Sequence, residues 1–211
     1  MFKKVFSIVL ALTLVASVWL VPVSAVDGYG GYAVYRDGVE LLGVDFWHAA
    51  IMQRPSTDYS MPVIHHPGKN TDYPYVKRDT WESFMDGQNF QGVYRHPNKS
   101  AFNYAKDYIV DLARCLAAEN IEYTLFHQVD YNTPLGDWVL PEDITKMRCD
   151  GVVEYCYEYH GLRVYGPEKT WDITLSNEIN HDVHSGIMIT PKNQAQNNLT
   201  RVSLSKPTGY K

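Results

Sequence analysis

One segment, Met147-Arg148-Cys149-Asp150-Gly151-Val152-Val153-Glu154-Tyr155-Cys156-Tyr157-Glu158-Tyr159, limits the possible folds more than any other. Val152, Val153, Cys156 and Tyr159 recur at helical spacing, while Glu154 and Glu158 fall on the other side. The segment therefore reads as an amphipathic helix with one face on a core. Cys149 stands at its start, with the small residue Gly151 two positions on. A thiol there meets the unpaired amides of the first turn and the positive end of the helix dipole. Both favour the thiolate, the nucleophilic form, so the sequence sets the question of which residue supplies a base.

The N-terminus reads as a targeting segment. Lys3 and Lys4 precede a nearly unbroken apolar run from Phe6 to Val23, and Val23-Ser24-Ala25 has the small-residue form of a cleavage site. Residues 1–25 are expected to be a secretory signal peptide cleaved after Ala25, which implies a secreted or extracytoplasmic protein. The alternative is an uncleaved anchor, since the run is just long enough to span a bilayer. Membrane contact is expected only in that case. One domain is expected over 26–175. Residues 176–211, rich in Asn, His, Ser, Pro and Lys, read as a polar tail crossing its surface.

The formal net charge is −5, and loss of Lys3 and Lys4 makes the remaining chain more acidic. Without clustered Lys and Arg to neutralise phosphates, nucleic acid is not an expected partner. Three cysteines are too few, and odd in number, for a disulfide framework. Cys115 and Cys156 lie on apolar faces of expected helices and read as small buried hydrophobes. Sixteen Tyr and five Trp suit an exported protein that binds polymers or glycans. A monomer is the expected state.

Along the chain, Tyr32–Arg36 and Val39–Leu42 flank Asp37-Gly38, which predicts a hairpin with a type I′ turn. Asp45–Met52 and Met61–His66 read as strands, the second closed by Pro67-Gly68, and residues 67–80 as a loop. Thr80–Met85 predicts a short helix capped by Asp79 or Thr80. Gly92–Arg95 reads as a strand, and Ser100 as the cap of a long helix reaching about Asn120. Ile121–Val129 reads as a strand and Leu140-Pro141 as a short helix start. Leu162–Gly166 and Trp171–Ile173 are further strand candidates.

Of the eight histidines, His96, His160, His181 and His184 read as solvated surface residues. His48 differs, because it sits inside the apolar run between Trp47 and Ala49-Ala50-Ile51. A buried imidazole costs roughly 1–3 kcal/mol unless it is hydrogen-bonded. With a candidate nucleophile present, His48 is the favoured base and His127 its rival. A catalytic histidine needs a third group to fix its tautomer. His65 and His66 end the next strand and point to opposite faces, so only one of them can face His48. Cys149, His48 and His65 would also make a zinc ligand set, but they lack the short spacing of zinc motifs. No metal and no cofactor is expected.

A His on a buried strand, a polar residue on the next strand and then a Cys opening a helix resemble the papain-like NlpC/P60 superfamily in its circularly permuted branch. His48-Ala49-Ala50-Ile51-Met52 is similar to the family's histidine strand. Cys149-Asp150-Gly151-Val152-Val153-Glu154-Tyr155 is similar to its nucleophile motif. Val63-Ile64-His65-His66-Pro67-Gly68 resembles the following strand, with His65 in the place of an acid, and Gly92-Val93-Tyr94-Arg95 the strand after that. The resemblance covers about residues 40–165. It implies an α+β fold with an antiparallel sheet packed against the nucleophile helix and one long helix. It also implies a Cys149–His48–His65 cysteine peptidase or amidase acting by default on cell-wall peptide. A lipid esterase, thioesterase or acyltransferase is the nearest alternative chemistry, and a binding module for wall peptide or glycan the alternative class. Arg148 and Asp150 depart from the family pattern. Asp150 should raise the pKa of the thiol, and Arg148 should offset it.

Overall fold

The computed structural model describes residues 28–41, 44–54, 60–69, 71–166, 171–177, 184 and 189–208. The expected signal segment and His181 lie outside the described residues. Among the described residues no helix is long and apolar enough to cross a membrane.

The architecture is α+β. Strands β1 (Ala33–Leu41), β2 (Val44–Met52), β3 (Val63–His65), β4 (Lys77–Asp79), β5 (Phe90–Arg95) and β9 (Thr200–Ser203) form a sheet of order β4-β3-β2-β1-β5-β9. Every neighbouring pair in it is antiparallel. Strand periodicity divides its side chains between two buried faces. Ala33, Tyr35, Ala49, Ile51, Ile64 and Tyr94 join one core. Helix α2 (Lys99–Leu116) contributes Phe102, Ile109 and Leu112 to that core, and α3 (Cys149–Glu158) contributes Val152, Val153 and Cys156. Val34, Ala50, Met52, Val63 and Val93 face the other way, against Trp81 and Phe84 of α1 (Trp81–Met85). Burial of each large apolar side chain contributes about 1.5–3 kcal/mol, so both layers hold the central strands in place.

A smaller sheet carries β6 (Glu122–Tyr123), β7 (Val129–Tyr131) and β8 (Ile144–Met147) in the order β6-β8-β7. It delivers the chain from Met147 directly into α3. Gly151 permits this junction, because a Cβ there would lie 2.0 Å from the Gln128 carbonyl oxygen.

Several expectations are corrected. Asp37-Gly38 is not a hairpin turn but an irregularity within β1, where the register shifts between Arg36 and Val39. A Cβ on Gly38 would meet the Phe46 carbonyl oxygen at 1.7 Å, so close strand approach explains the glycine. Residues 77–79 form an edge strand, not a loop. Asn98 caps α2 in place of Ser100, accepting from the Ala101 amide, and the helix ends at Leu116. The 121–129 segment breaks into β6 and the start of β7, and 162–166 and 171–173 form no strand. Thr80 does cap α1, accepting from the Ser83 amide. Pro141–Asp143 is a short 3-10 turn, as the Leu140-Pro141 signal suggested.

The largest correction concerns the C-terminus. A helical turn at Pro191–Asn193 packs on β2, Gln194, Ala195 and Leu199 are buried, and β9 pairs with β5. Asn and Gln made this segment look solvated. Its amides are instead spent on a buried network described below.

Candidate functional site

Cys149, His48 and His65 meet at one end of the sheet. Strand β3 pairs only with the end of β2, at Ile51 and Met52. The Met52 amide donates to Tyr32 on the β1 side and the Gln53 amide to Pro62 on the β3 side. Alternation along the strand therefore turns the Ala49 amide toward β3's side, beyond the point where β3 reaches. The first residue of α3 fills this open edge, where the Ala49 amide faces the Cys149 thiol and lowers its pKa. The nucleophile candidate thus takes the place of a missing strand, one residue along from His48.

His48 shares the strand face of Ala50 and Met52, over α1, with its ring 5.5 Å from that of Phe84. Its Nε2 lies 2.7 Å from His65 Nδ1, and His65 Nε2 lies 3.1 Å from Asp79 Oδ2. Asp79 also accepts from Ser83 Oγ at 2.6 Å and from the Thr80 amide at 2.8 Å, and Lys77 Nζ lies 2.9 Å away. Burial raises the pKa of Asp79, but its bonds to His65, Ser83, Lys77 and Thr80 outweigh this and hold it well below the usual carboxylate range. Asp79 is therefore an ionised acceptor. That fixes the proton of His65 on Nε2 and leaves Nδ1 to accept. His48 must then donate through Nε2, which leaves its Nδ1 a bare lone pair. Among the described residues this nitrogen has no hydrogen-bond partner.

His66 points the other way. Its Nε2 lies 3.2 Å from the Ile121 carbonyl oxygen, and its ring packs on Tyr123. The choice between His65 and His66 as partner of His48 is thus settled by strand alternation. The rival His127 pairs with Asp130 at 2.7 Å.

His48 and Cys149 line a common cleft of about 480 Å³, together with Arg36, Trp47, His66 and Tyr123. No hydrogen bond joins the sulfur to the imidazole here, and the amides of Ala49 and Asp150 both act on the thiol to lower its pKa. Burial, followed by the Asp150 carboxylate, pushes the Cys149 thiol up to about 12, against the smaller opposing effects of the Ala49 amide and Arg148. The expected lowering by the helix N-terminus is therefore overridden. Burial, then His65 and Arg36, hold His48 well below its ordinary value of 6.5. The resting site is a neutral thiol beside a neutral imidazole.

Beneath the sulfur lies a second polar assembly. Arg148 forks onto Asp150, with Nε–Oδ1 and Nη2–Oδ2 both 2.7 Å, and its Nη2 also donates to the Ile189 carbonyl. Gln128 Nε2 donates to Asp150 at 3.0 Å and to Glu154 at 2.7 Å. Gln194 Nε2 donates to Glu154 and to the Asp150 carbonyl, and its Oε1 accepts from Tyr35. His184 Nε2 lies 3.1 Å from Glu154 Oε1, so this histidine, expected on the surface, is buried. Glu158 accepts from the amides of Val164 and Ile173. Glu154 and Glu158, expected on the solvent face of the helix, are both buried. Cys156 is buried as expected, whereas Cys115 is exposed.

Glu154, Glu158 and His184 bring ligand-type atoms within 4.8 Å of one another. Every carboxylate oxygen of the two acids already accepts from a protein donor, so the cluster is part of a hydrogen-bonded network.

Sequence reasoning missed Asp79 as a member of the site, having read it only as a helix cap. Its signal was an acid directly before the Thr80 cap, which placed it on the strand next to His65. Arg36 and Tyr123 carried no signal, because they enter the cleft through strand register. No protein-family model, curated protein or solved structure matches this chain.

Proposed function

We propose that this protein is an exported cysteine hydrolase that cleaves an amide bond, by default in cell-wall peptide, on a papain-like scaffold of the permuted NlpC/P60 type. The observation that carries the reading is the Asp79–His65–His48 chain, whose hydrogen-bond polarity leaves a bare imidazole nitrogen in the cleft that holds Cys149. The upstream base strand, the antiparallel sheet and a nucleophile helix ending at a strand edge support the scaffold.

The neutral resting pair defines the mechanism. His48 Nδ1 removes the thiol proton as the sulfur attacks, so thiolate forms in the acylation step and not beforehand. Substrate entry must draw the sulfur from the Ala49 amide toward His48. The S–C bond forms, and the oxygen charge is met by first-turn amides of α3. His48 then gives its proton to the leaving amine as the C–N bond breaks, and water attacks the thioester with His48 again as base. His65 and Asp79 hold the imidazole and spread its transient positive charge.

The test uses p-nitrophenyl acetate followed by intact mass measurement. One acetyl group on Cys149, lost in Cys149→Ser and nearly lost in His48→Ala, is the expected result. Acetylation that ignores Cys149 overturns the reading. A panel of cell-wall peptides scored for newly released amines then identifies the bond, with Cys149→Ala as control. Binding of those peptides without amine release or acyl-enzyme would assign the cleft to a binding module instead.

A further inference from the structure

Arg36 is a cation of the cleft that the mechanism above does not use. It stands directly opposite His48 in the β1–β2 pairing and lines the same cavity. Its guanidinium is fixed on three sides. Nε donates to the Phe84 carbonyl, Nη1 donates to the Asp37 carbonyl at 2.7 Å, and the group lies 5.8 Å above the Phe84 ring. That same ring packs on both His48 and His65. The arginine is thus held in register with the histidine relay.

Its charge is not matched by a bonded carboxylate. The Asp37 carboxylate is occupied by Asn89 and Gln91, and Asp86 interacts with Arg36 only across a distance. Nη2 has no acceptor among the described residues. Arg36 is also partly desolvated, and burial lowers its pKa. A rigid, partly buried guanidinium with a donor edge open to the cleft can take an anion without the cost of ordering its own side chain. Lys69 and Arg148 also line the cleft, Arg148 with its charge matched by Asp150, and Asp86 is the acid that lines it.

We propose that Arg36 anchors a carboxylate of the substrate beside the scissile carbonyl, so that the cleft selects acidic acyl or peptide substrates over neutral ones. This rests on the reading of Cys149 as the nucleophile. With Nε and Nη1 committed, the anchor is a single carboxylate oxygen on Nη2, which positions the substrate without engaging the relay.

The experiment compares alkylation of Cys149 by N-iodoacetylglycine and by its methyl ester, two probes with one reactive group. The ratio of their rates does not depend on the thiol pKa. Exposed Cys115 in the same molecule is the internal reference. The expected result is a preference of about tenfold for the free acid at Cys149, the scale of one charge-assisted hydrogen bond in a half-open cleft. Arg36→Gln should return the ratio to that of Cys115, while Lys69→Gln should leave most of it. Should Arg36→Gln fold poorly, the wild type suffices: N-acetylglycine should slow alkylation by the methyl ester, and N-acetylglycinamide should not. A wild-type ratio matching Cys115, or a preference that survives Arg36→Gln or is lost equally in Lys69→Gln, overturns the anchor while leaving the nucleophile intact. Alkylation of Cys115 with neither probe reaching Cys149 overturns both.

Discussion

Cys149 sits between two polar assemblies that obey opposite rules. On the sheet side, Asp79, His65 and His48 form a line in which each imidazole nitrogen has one partner, and the last nitrogen has none. On the helix side, Arg148, Asp150, Gln128, Glu154, Gln194 and His184 form a branched mesh in which most groups have two or more partners and Gln128 Oε1, among the described residues, has none. Both consist of residues that are expensive to bury. The line ends in a basic nitrogen and can pass a proton outward, whereas the mesh leaves over only an amide oxygen and holds its members in place. The difference lies in what is left unpaired, a basic imidazole nitrogen in the line and a non-basic amide oxygen in the mesh.

The largest effect expected tests the helix side. Arg148→Met leaves Asp150 buried without its cation, and breaking such a pair costs about 3–5 kcal/mol. Thermal or urea unfolding should register this, and Arg148→Met with Asp150→Leu should recover a large part of it. A variant that unfolds like the wild type would mean that the mesh does not hold the Cys149 helix. The sheet side should respond in rate instead. His48→Asn removes the base and should slow acylation of Cys149 by roughly 10²–10⁴-fold, with circular dichroism unchanged. Equal rates in His48→Asn and wild type would remove the relay from the chemistry and leave two structural networks.

The same contrast explains what could be read in the sequence. Cys149 and His48 were legible because each breaks a local pattern, a thiol at a helix start and an imidazole within an apolar strand. His65 was legible as one of two, since adjacent strand residues must diverge. Asp79 was not, because its role comes from the pairing of β3 with β4, which brings Lys77 opposite His65 and Val63 opposite Asp79. Glu154 and Glu158 misled for a related reason. Helical periodicity marks a polar face, but here the returning segment 189–199 and His184 cover that face. A segment distant in the chain thus converts a surface into a core, and composition alone cannot reveal it. Asp37-Gly38 shows the reverse error, a local turn signal used for close strand approach.

A smaller effect sharpens the order of the relay. Asp79→Asn replaces an obligate acceptor with a group that can also donate, so the tautomers of His65 and His48 are no longer forced. A loss of about tenfold in acylation rate is expected, smaller than for His48→Asn because the base itself remains. The pH profile gives the sign. Acylation needs neutral His48, whose pKa is held well below 6.5, so the acid limb of the wild-type rate should lie below that value. Asp79 is the one charge near His48 that raises its pKa. Its removal should therefore move the limb further down. An upward movement would show that Asp79 does not act through His65.

The smallest effect concerns the acids of the helix side. Burial and the neighbouring Glu154 hold the Glu158 pKa well above 4.5, against the amides of Ile173 and Val164. Above pH 4.5 the unfolded chain has released this proton while the folded chain retains it. Stability from this group is thus fully present below pH 4.5 and falls as pH rises toward the folded pKa. Asp79 behaves in the opposite sense. Its stabilisation is present above 3.8 and lost as pH falls through its depressed value. Glu158→Gln removes this titration, but its single oxygen can accept from only one of the Val164 and Ile173 amides. The variant should therefore melt below the wild type near pH 4, and the gap should narrow as pH rises, by an amount on the order of 1 kcal/mol. The separation should be absent in the acylation rate, because Glu158 faces away from the cleft-lining residues. Should the gap widen with rising pH instead, the amide donors have overcome burial. Glu158 would then carry a full negative charge in the folded protein.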